Sequence, residues 1–216
     1  MQSLIHLYNT ALAELGGEQI PLNISPIESD AVGAICQNIF PHVLDTVLEA
    51  HEWGFASARV VLALLPEQEP RNHSYQYRYA LPADCVRPIR IVVPELGHGE
   101  AVYPARVNRS PAYVIEGQYI LCNVEQAEFL YIARVTEPRR WPAYFADVLV
   151  WKMAAGLATS RNNDKQQKQM CDQMYEFVLA KACAKDRAMR NPHEPLSPWQ
   201  VARGNRGVMP LRGGGW

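Results

Sequence analysis

The chain reads as an α+β protein: a four-helix bundle of two N-terminal and two C-terminal helices, an antiparallel β-domain inserted between the pairs, and an extended C-terminal arm. Three observations predict this. Apolar residues recur at spacings of three and four over residues 2–51 and again from about Pro142 to Met189, the period of amphipathic helices. Between those regions, from Tyr75 to Val135, short alternating runs are separated by Pro, Gly, Asn and Asp, the pattern of strands and turns. Beyond Arg190 the chain carries Pro192, Pro195, Pro198, Pro210, five glycines and two isolated tryptophans, a composition that cannot build a core of its own. The segments are residues 1–65 for the N-terminal helices, 66–136 for the β-domain, 137–190 for the C-terminal helices and 191–216 for the arm.

The elements follow in order. Leu4, Tyr8, Ala11, Leu12 and Leu15 form one helical stripe, and Gly16-Gly17 supplies its stop. Ser25-Pro26-Ile27-Glu28 has the form of a capping box with Pro at the first helical position, with Ser29 and Asp30 as alternative caps. Val32, Ile35, Cys36, Ile39, Val43, Leu44, Val47 and Leu48 then continue an apolar face to about His51, in a long helix expected to bend at Pro41. Residues 56–65 are apolar without a clear period, and PEQEPRN (66–72) marks a boundary. Tyr75, Tyr77, Tyr79 and Leu81 alternate with Gln76, Arg78 and Ala80, and Val86 to Val93 resumes the alternation after Pro82-Ala83-Asp84. Pro94 to Gly99 reads as a loop. Tyr113–Ile115 and Gln118–Cys122 predict a hairpin turning at Glu116-Gly117, and Phe129–Val135 a further strand. Phe145, Val148, Leu149, Met153 and Leu157 lie along one helical side, with Ala154, Ala155, Gly156 and Ala158 permitting close helix approach. After a polar break at Arg161–Asp164, a last helix carries a stripe read as Met170, Met174, Phe177, Val178 and Ala182, flanked by Lys165, Lys168, Glu176, Lys181 and Lys185.

Composition narrows the chemistry. At 216 residues the chain is large enough for a real core, since roughly 70% of the unfolded surface is buried at this size. It is 48% hydrophobic and 20% charged, with no uninterrupted apolar run near the roughly 18 residues of a membrane span, so a protein without membrane contact is expected. The start, MQSLIHLYNTALAEL, lacks a basic n-region and holds Glu14, which argues against a secretory signal and for folding in the cytoplasm. Cys36, Cys85, Cys122, Cys171 and Cys183 form no CxxC pair and read as buried free thiols. Net charge is −1, yet after Asp186 five arginines face Glu194 alone, so the tail is basic.

Common hydrolase, nucleotide and zinc signatures are absent: there is no G-x-S-x-G, Walker loop, G-x-G-x-x-G or H-E-x-x-H. The six histidines are scattered, and His42 and His51 share a helix nine residues apart, the wrong spacing for a shared ligand. Asp84-Cys85 lacks a His that could be nominated to activate the thiol. The ladder Tyr75, Tyr77, Tyr79, weighed against single-strand stacking, has only Arg78, Arg87 and Arg90 nearby and reads as a packed β-face. No catalytic residue, metal or cofactor is therefore expected. Trp53 and Phe55, flanking a glycine in HEWGFASARV, read as core anchors, because each aromatic ring can bury about 150–250 Å².

Taken together, LIHLYNTALAELGGEQI, HEWGFASARVVLAL, YRYALPADCVRPIRI, FLYIARVTEP and YEFVLAKACAKDRAM resemble, in order and approximate spacing, the tail tubular protein A family of tailed bacteriophages, the head-to-tail adaptors. The likeness runs from about residue 4 to residue 189. Its most specific pieces are Trp53, Phe55, Ala56 and Arg59, and the run Tyr79-Ala80-Leu81-Pro82-Ala83-Asp84; Glu52 and Gly54 depart from the Pro and Asn usual in the family. The resemblance implies a helical bundle with an inserted β-domain, about twelve copies of which form a ring beneath the portal. Such a ring joins portal protein to tail tube or nozzle protein and lines the channel through which genomic DNA passes.

The expected function is accordingly a non-enzymatic virion adaptor, present at the head–tail junction and, during assembly, in the host bacterial cytoplasm. Trp53, Phe55 and Arg59 are expected to hold the helix-to-strand junction. Trp199, Arg203, Arg206, Arg212 and Trp216 are expected to dock the arm on the portal, since lone tryptophans and arginines are common interface anchors. The alternative is a DNA-binding packaging or regulatory protein that uses the basic arm on phosphate.

Overall fold

The computed structural model describes residues 3–65, 75–92, 112–162 and 165–190, with backbone alone for Glu28 and 159–162. The arm, including Trp199, Arg203, Arg206, Arg212 and Trp216, lies outside the described residues, as do PEQEPRN and the Pro94–Gly99 loop. The fold is mixed: four helices and two small antiparallel sheets among the described residues.

Helix α1 (Leu4–Glu14) starts at Ser3, whose hydroxyl accepts from the His6 amide. It ends where Gly16 takes φ +63° and the amides of Gly16 and Gly17 donate to the carbonyls of Ala13 and Leu12, a stop that a residue with a Cβ adopts only with strain. The next helix, α2 (Ala31–Ala50), is capped by Asp30, which accepts from the Gly33 amide at 2.8 Å. The four residues expected to form a capping box do not cap it, because Ile27–Ser29 form a separate 3-10 turn ahead of the helix. The helix continues through Pro41, which lacks the amide that would bond one turn back. By length and composition α2 is apolar enough to cross a membrane, at mean hydropathy 1.2, although its apolar face, Cys36, Phe40, Val43, Leu44, Val47 and Leu48, is buried in the core here.

The chain then enters the sheets. Strand β1 (Ser57–Val61) begins within the first 65 residues, so the segment read as N-terminal helices also supplies a strand. The others are β2 (Tyr77–Ala80), β3 (Cys85–Val92), β4 (Tyr113–Glu116), β5 (Tyr119–Cys122) and β6 (Glu128–Ala133). One sheet has the order β1-β6-β3 and the other β2-β5-β4, all neighbours antiparallel. Just past β1, Leu64 bridges Tyr79 and the Leu65 amide donates to the Arg78 carbonyl, which joins the two sheets. Tyr113 opposes Cys122 and Glu116 opposes Tyr119 in the hairpin, so its two turn residues are Gly117 and Gln118, one position later than the sequence suggests, with Gly117 at φ +62°.

Phe129, Tyr131 and Ile91 of the first sheet meet Tyr79, Ile120 and Cys122 of the second in a small core. Alternation sends Ile132 the other way, where it joins Val86, Ile89 and Val135 against the helices in the larger core. The first sheet is therefore packed on both faces, and that fixes the β-domain against the helical layer.

Helix α3 (Ala143–Asn162) packs against α1, α2 and α4 (Lys165–Arg190), and its predicted face, Phe145, Val148, Leu149, Met153 and Leu157, is fully buried. For α4 the predicted stripe holds in part: Ala182 is buried and Val178 packs against the larger core. The buried positions are Cys171, Tyr175, Ala182 and Asp186, whereas Met170 and Phe177 are 50% and 54% exposed.

Candidate functional site

Among the described residues, the passage from α2 to β1 is held by a dense set of hydrogen bonds and ring contacts. At the end of α2 the backbone of His51 turns to extended geometry (φ −147°, ψ 157°), leaving the last carbonyls of the helix to find donors elsewhere. Trp53 answers one of them: its fully buried indole donates from Nε1 to the Val47 carbonyl at 2.8 Å. The ring lies edge-on to His51 (centroids 4.9 Å) and Phe145 (5.0 Å), stacks on Tyr144 (6.2 Å, 25°) and tilts against Phe55 (6.3 Å). Phe55 closes the cluster against Phe145 at 4.7 Å.

Against this cluster lies the last buried turn of α4. The Asp186 carboxylate is 1% exposed and accepts from the Gly54 amide (3.1 Å), the Tyr144 hydroxyl (3.0 Å) and His51 Nε2 (3.2 Å). One side chain thus ties α4 to the α2–β1 passage and to α3. One turn on, the Arg190 guanidinium donates to the Glu52 carbonyl at 2.5 Å. Gly54 gives close approach: a Cβ there would stand 2.9 Å from Arg190 Cγ and 3.4 Å from Asp186 Oδ1, so a larger residue would push the Arg190 side chain aside. The glycine thus lets α4 lie directly on the backbone.

The electrostatics suit a closed latch. Burial lowers the pKa of His51 below its ordinary value, the Asp186 carboxylate opposes that shift, and the Arg187 and Arg190 charges reinforce it. At neutral pH the imidazole is then uncharged, with the Nε2 hydrogen directed at the carboxylate. Burial, followed by the hydrogen bond to Asp186, pushes the Tyr144 hydroxyl up to about 12, so it stays a donor.

The return passage, from β6 to α3, repeats the device. Pro138–Arg140 make a 3-10 turn, and buried Trp141 donates from Nε1 to the Val135 carbonyl at 2.8 Å. Trp141 tilts against Phe40 (5.9 Å) and Phe145 (6.1 Å). Both crossings between helices and strands therefore hold an indole hydrogen-bonded to a carbonyl six residues upstream, and both rings meet on Phe145.

Of the three residues expected at the junction, the structure brings Trp53 and Phe55 together. Arg59 sits apart from them on β1, more than half exposed, with its guanidinium 3.6 Å from Glu128. Sequence reading missed Trp141, Tyr144, His51 and Asp186. A Trp followed by a helix-starting Pro was a visible cue at Trp141-Pro142, but a lone Asp at the end of a charged helix carries no signal of burial. Cys85, beside Asp84, is pushed up to about 11 by burial and then by the Asp84 charge, while Asp84 accepts from the Tyr131 hydroxyl at 3.0 Å. All five cysteines are free thiols, but only Cys36, Cys122 and Cys171 are buried as expected; Cys85 and Cys183 are partly buried. No protein-family model matches the chain, and no curated protein sequence does.

Proposed function

We propose that the chain is a structural head-to-tail adaptor of a tailed bacteriophage. About twelve copies form a ring that joins the portal to the tail and lines the DNA channel. In this reading the four helices form a bundle, the β-domain faces the tail tube or nozzle, and the arm carrying Trp199, Arg203, Arg206, Arg212 and Trp216 docks on the portal. The protein is a virion component assembled in the host cytoplasm, and it works without a catalytic residue, metal or cofactor.

The observation that carries the reading is the double latch. A ring closes only when every copy presents the same angle between its parts, and an angle fixed at both crossings by buried indoles and by Asp186 is repeatable. The resemblance of residues 4–189 to the adaptor family supports it independently. The raised Cys85 thiol adds support, because a nucleophilic cysteine needs its pKa lowered. The arm assignment is tested by deleting residues 192–216 and measuring binding to the purified portal of the same phage: loss is expected, and unchanged binding would remove the assignment.

The basic tail keeps a DNA-binding reading as the alternative. It requires tight affinity for duplex DNA that falls steeply with salt, whereas the adaptor is expected to bind DNA weakly. A fluorescence-anisotropy titration at two salt concentrations separates the two.

A further inference from the structure

The two crossings between helices and strands differ in their chemistry. The β6–α3 crossing is closed by Trp141, whose indole donates to the Val135 carbonyl and whose ring meets Phe40 and Phe145, so no ionisable group takes part in those contacts. The α2–β1 crossing is closed by ionisable groups as well as by Trp53. His51 is 8% exposed and lies 3.2 Å from the carboxylate of Asp186, which also holds the Gly54 amide and the Tyr144 hydroxyl.

Every element packed around His51 brings its own groups. From α4 come the Asp186 carboxylate and the charges of Arg187 and Arg190. From α3 comes the Tyr144 hydroxyl, which donates to that carboxylate while the Lys185 ammonium of α4 stands 5.7 Å from the Tyr144 ring. The end of α2 and the passage carry Glu49, which is exposed, and Glu52, which is half-buried and whose carbonyl accepts from Arg190; Trp53 lies edge-on to the imidazole. With His51 uncharged, one buried carboxylate faces two guanidinium groups. A proton on the imidazole adds a further cation on a ring with little access to water: burial opposes it first, Arg187 and Arg190 oppose it too, and Asp186 favours it. The closed crossing therefore binds that proton less well than an opened one, in which the ring regains water, and acid moves the balance toward opening.

We propose that the α2–β1 crossing is an acid-released latch: in mild acid, protonation of His51 detaches the Asp186–Arg190 turn of α4 from the Gly54 backbone while the Trp141 crossing stays closed. The opening is local, because the larger core beneath both crossings is built from apolar side chains that do not titrate in this range. The β-domain then keeps one of its two attachments to the helices and loses the fixed angle that the pair imposes. This device needs no partner and stands whether or not the chain assembles into a ring.

Amide hydrogen exchange of the full-length chain, read by mass spectrometry at about pH 7.5 and about pH 5 and corrected for the intrinsic pH dependence of exchange, follows each crossing separately. The Gly54 amide reports directly, since it donates to Asp186. Peptides spanning residues 52–57 and 184–190 are expected to lose protection by about fivefold or more at the lower pH, and a peptide spanning 136–146 to keep its protection. The variant His51→Gln retains a neutral donor for Asp186 and takes up no proton, so its 52–57 peptide should exchange alike at both pH values. In the unaltered chain the His51 ring signal, followed by NMR, should titrate over the range in which Gly54 loses protection. The proposal is overturned by a Gly54 amide equally protected at both pH values, by both crossings loosening together, by His51→Gln loosening like the wild type, or by a His51 midpoint above the ordinary histidine value.

Discussion

At the buried end of α4, one carboxylate receives hydrogen bonds from three segments that are far apart in the chain. Asp186→Ala leaves the Gly54 amide, the Tyr144 hydroxyl and His51 without their acceptor, and a stability loss of about 3 kcal/mol is expected in urea titration. Asp186→Asn, which keeps one acceptor oxygen, should lose less than half of that. The same residues set a pH window. His51 has a folded-state pKa below its unfolded value, so its contribution is present above the ordinary His range and is lost as pH falls through the depressed value. Tyr144 and Tyr131, both raised to about 12, act in the opposite sense: their contribution is present below the ordinary Tyr value near 10 and is lost as pH rises toward 12. Thermal melts should therefore show a stability plateau from about pH 7 to pH 9, falling on both sides; a midpoint that climbs below pH 6 would contradict the His51 assignment. None of this was legible beforehand in Asp186, because a carboxylate amid Lys185, Arg187 and Arg190 reads as part of a solvated face.

Among the elements, the two tryptophan-locked crossings act as one unit through Phe145. Trp53→Phe and Trp141→Phe each remove an indole hydrogen bond to a buried carbonyl and should cost about 1–2 kcal/mol. Because both rings touch Phe145, the double variant should depart from additivity by about 0.5 kcal/mol or more in a double-mutant cycle, whereas strict additivity would mean the crossings are independent. The face of α3 was readable from its period because its largest buried apolar side chains, Phe145, Val148, Leu149, Met153 and Leu157, fall on one side, with small residues on the others. The face of α4 was misread in part because it carries two stripes: Met170 and Phe177 of the predicted stripe lie on the outer one, whereas Val178 and Ala182 belong to the inner one with Cys171 and Tyr175. Strand β1 showed no period because both of its faces carry apolar residues: the successive Val60 and Val61 point to opposite sides and are 38% and 65% exposed. The capping box gave way for a local reason: Asp30, the alternative cap next to the helix, supplies the cap itself. Asp30→Ala should accordingly cost about 1 kcal/mol, and Ser25→Ala nearly nothing.

For the molecule as a whole, the α+β class and the order of helices and strands were readable from periodicity, and Trp53 and Phe55 were recognisable as anchors because aromatic rings beside a glycine have few other uses. Their partners were not, since Tyr144, Phe145 and Asp186 come from helices distant in sequence and only the fold assembles them. The physical consequence is a β-domain held at a single angle to the helices, and such a part is suited to repetition around an axis. The most direct test of the proposed adaptor role is electron microscopy of the purified chain mixed with the portal protein of the same phage. Rings seated coaxially on the portal, with one uniform subunit tilt, are the predicted result; portal particles that remain bare, with the chain left free in solution, would contradict the account.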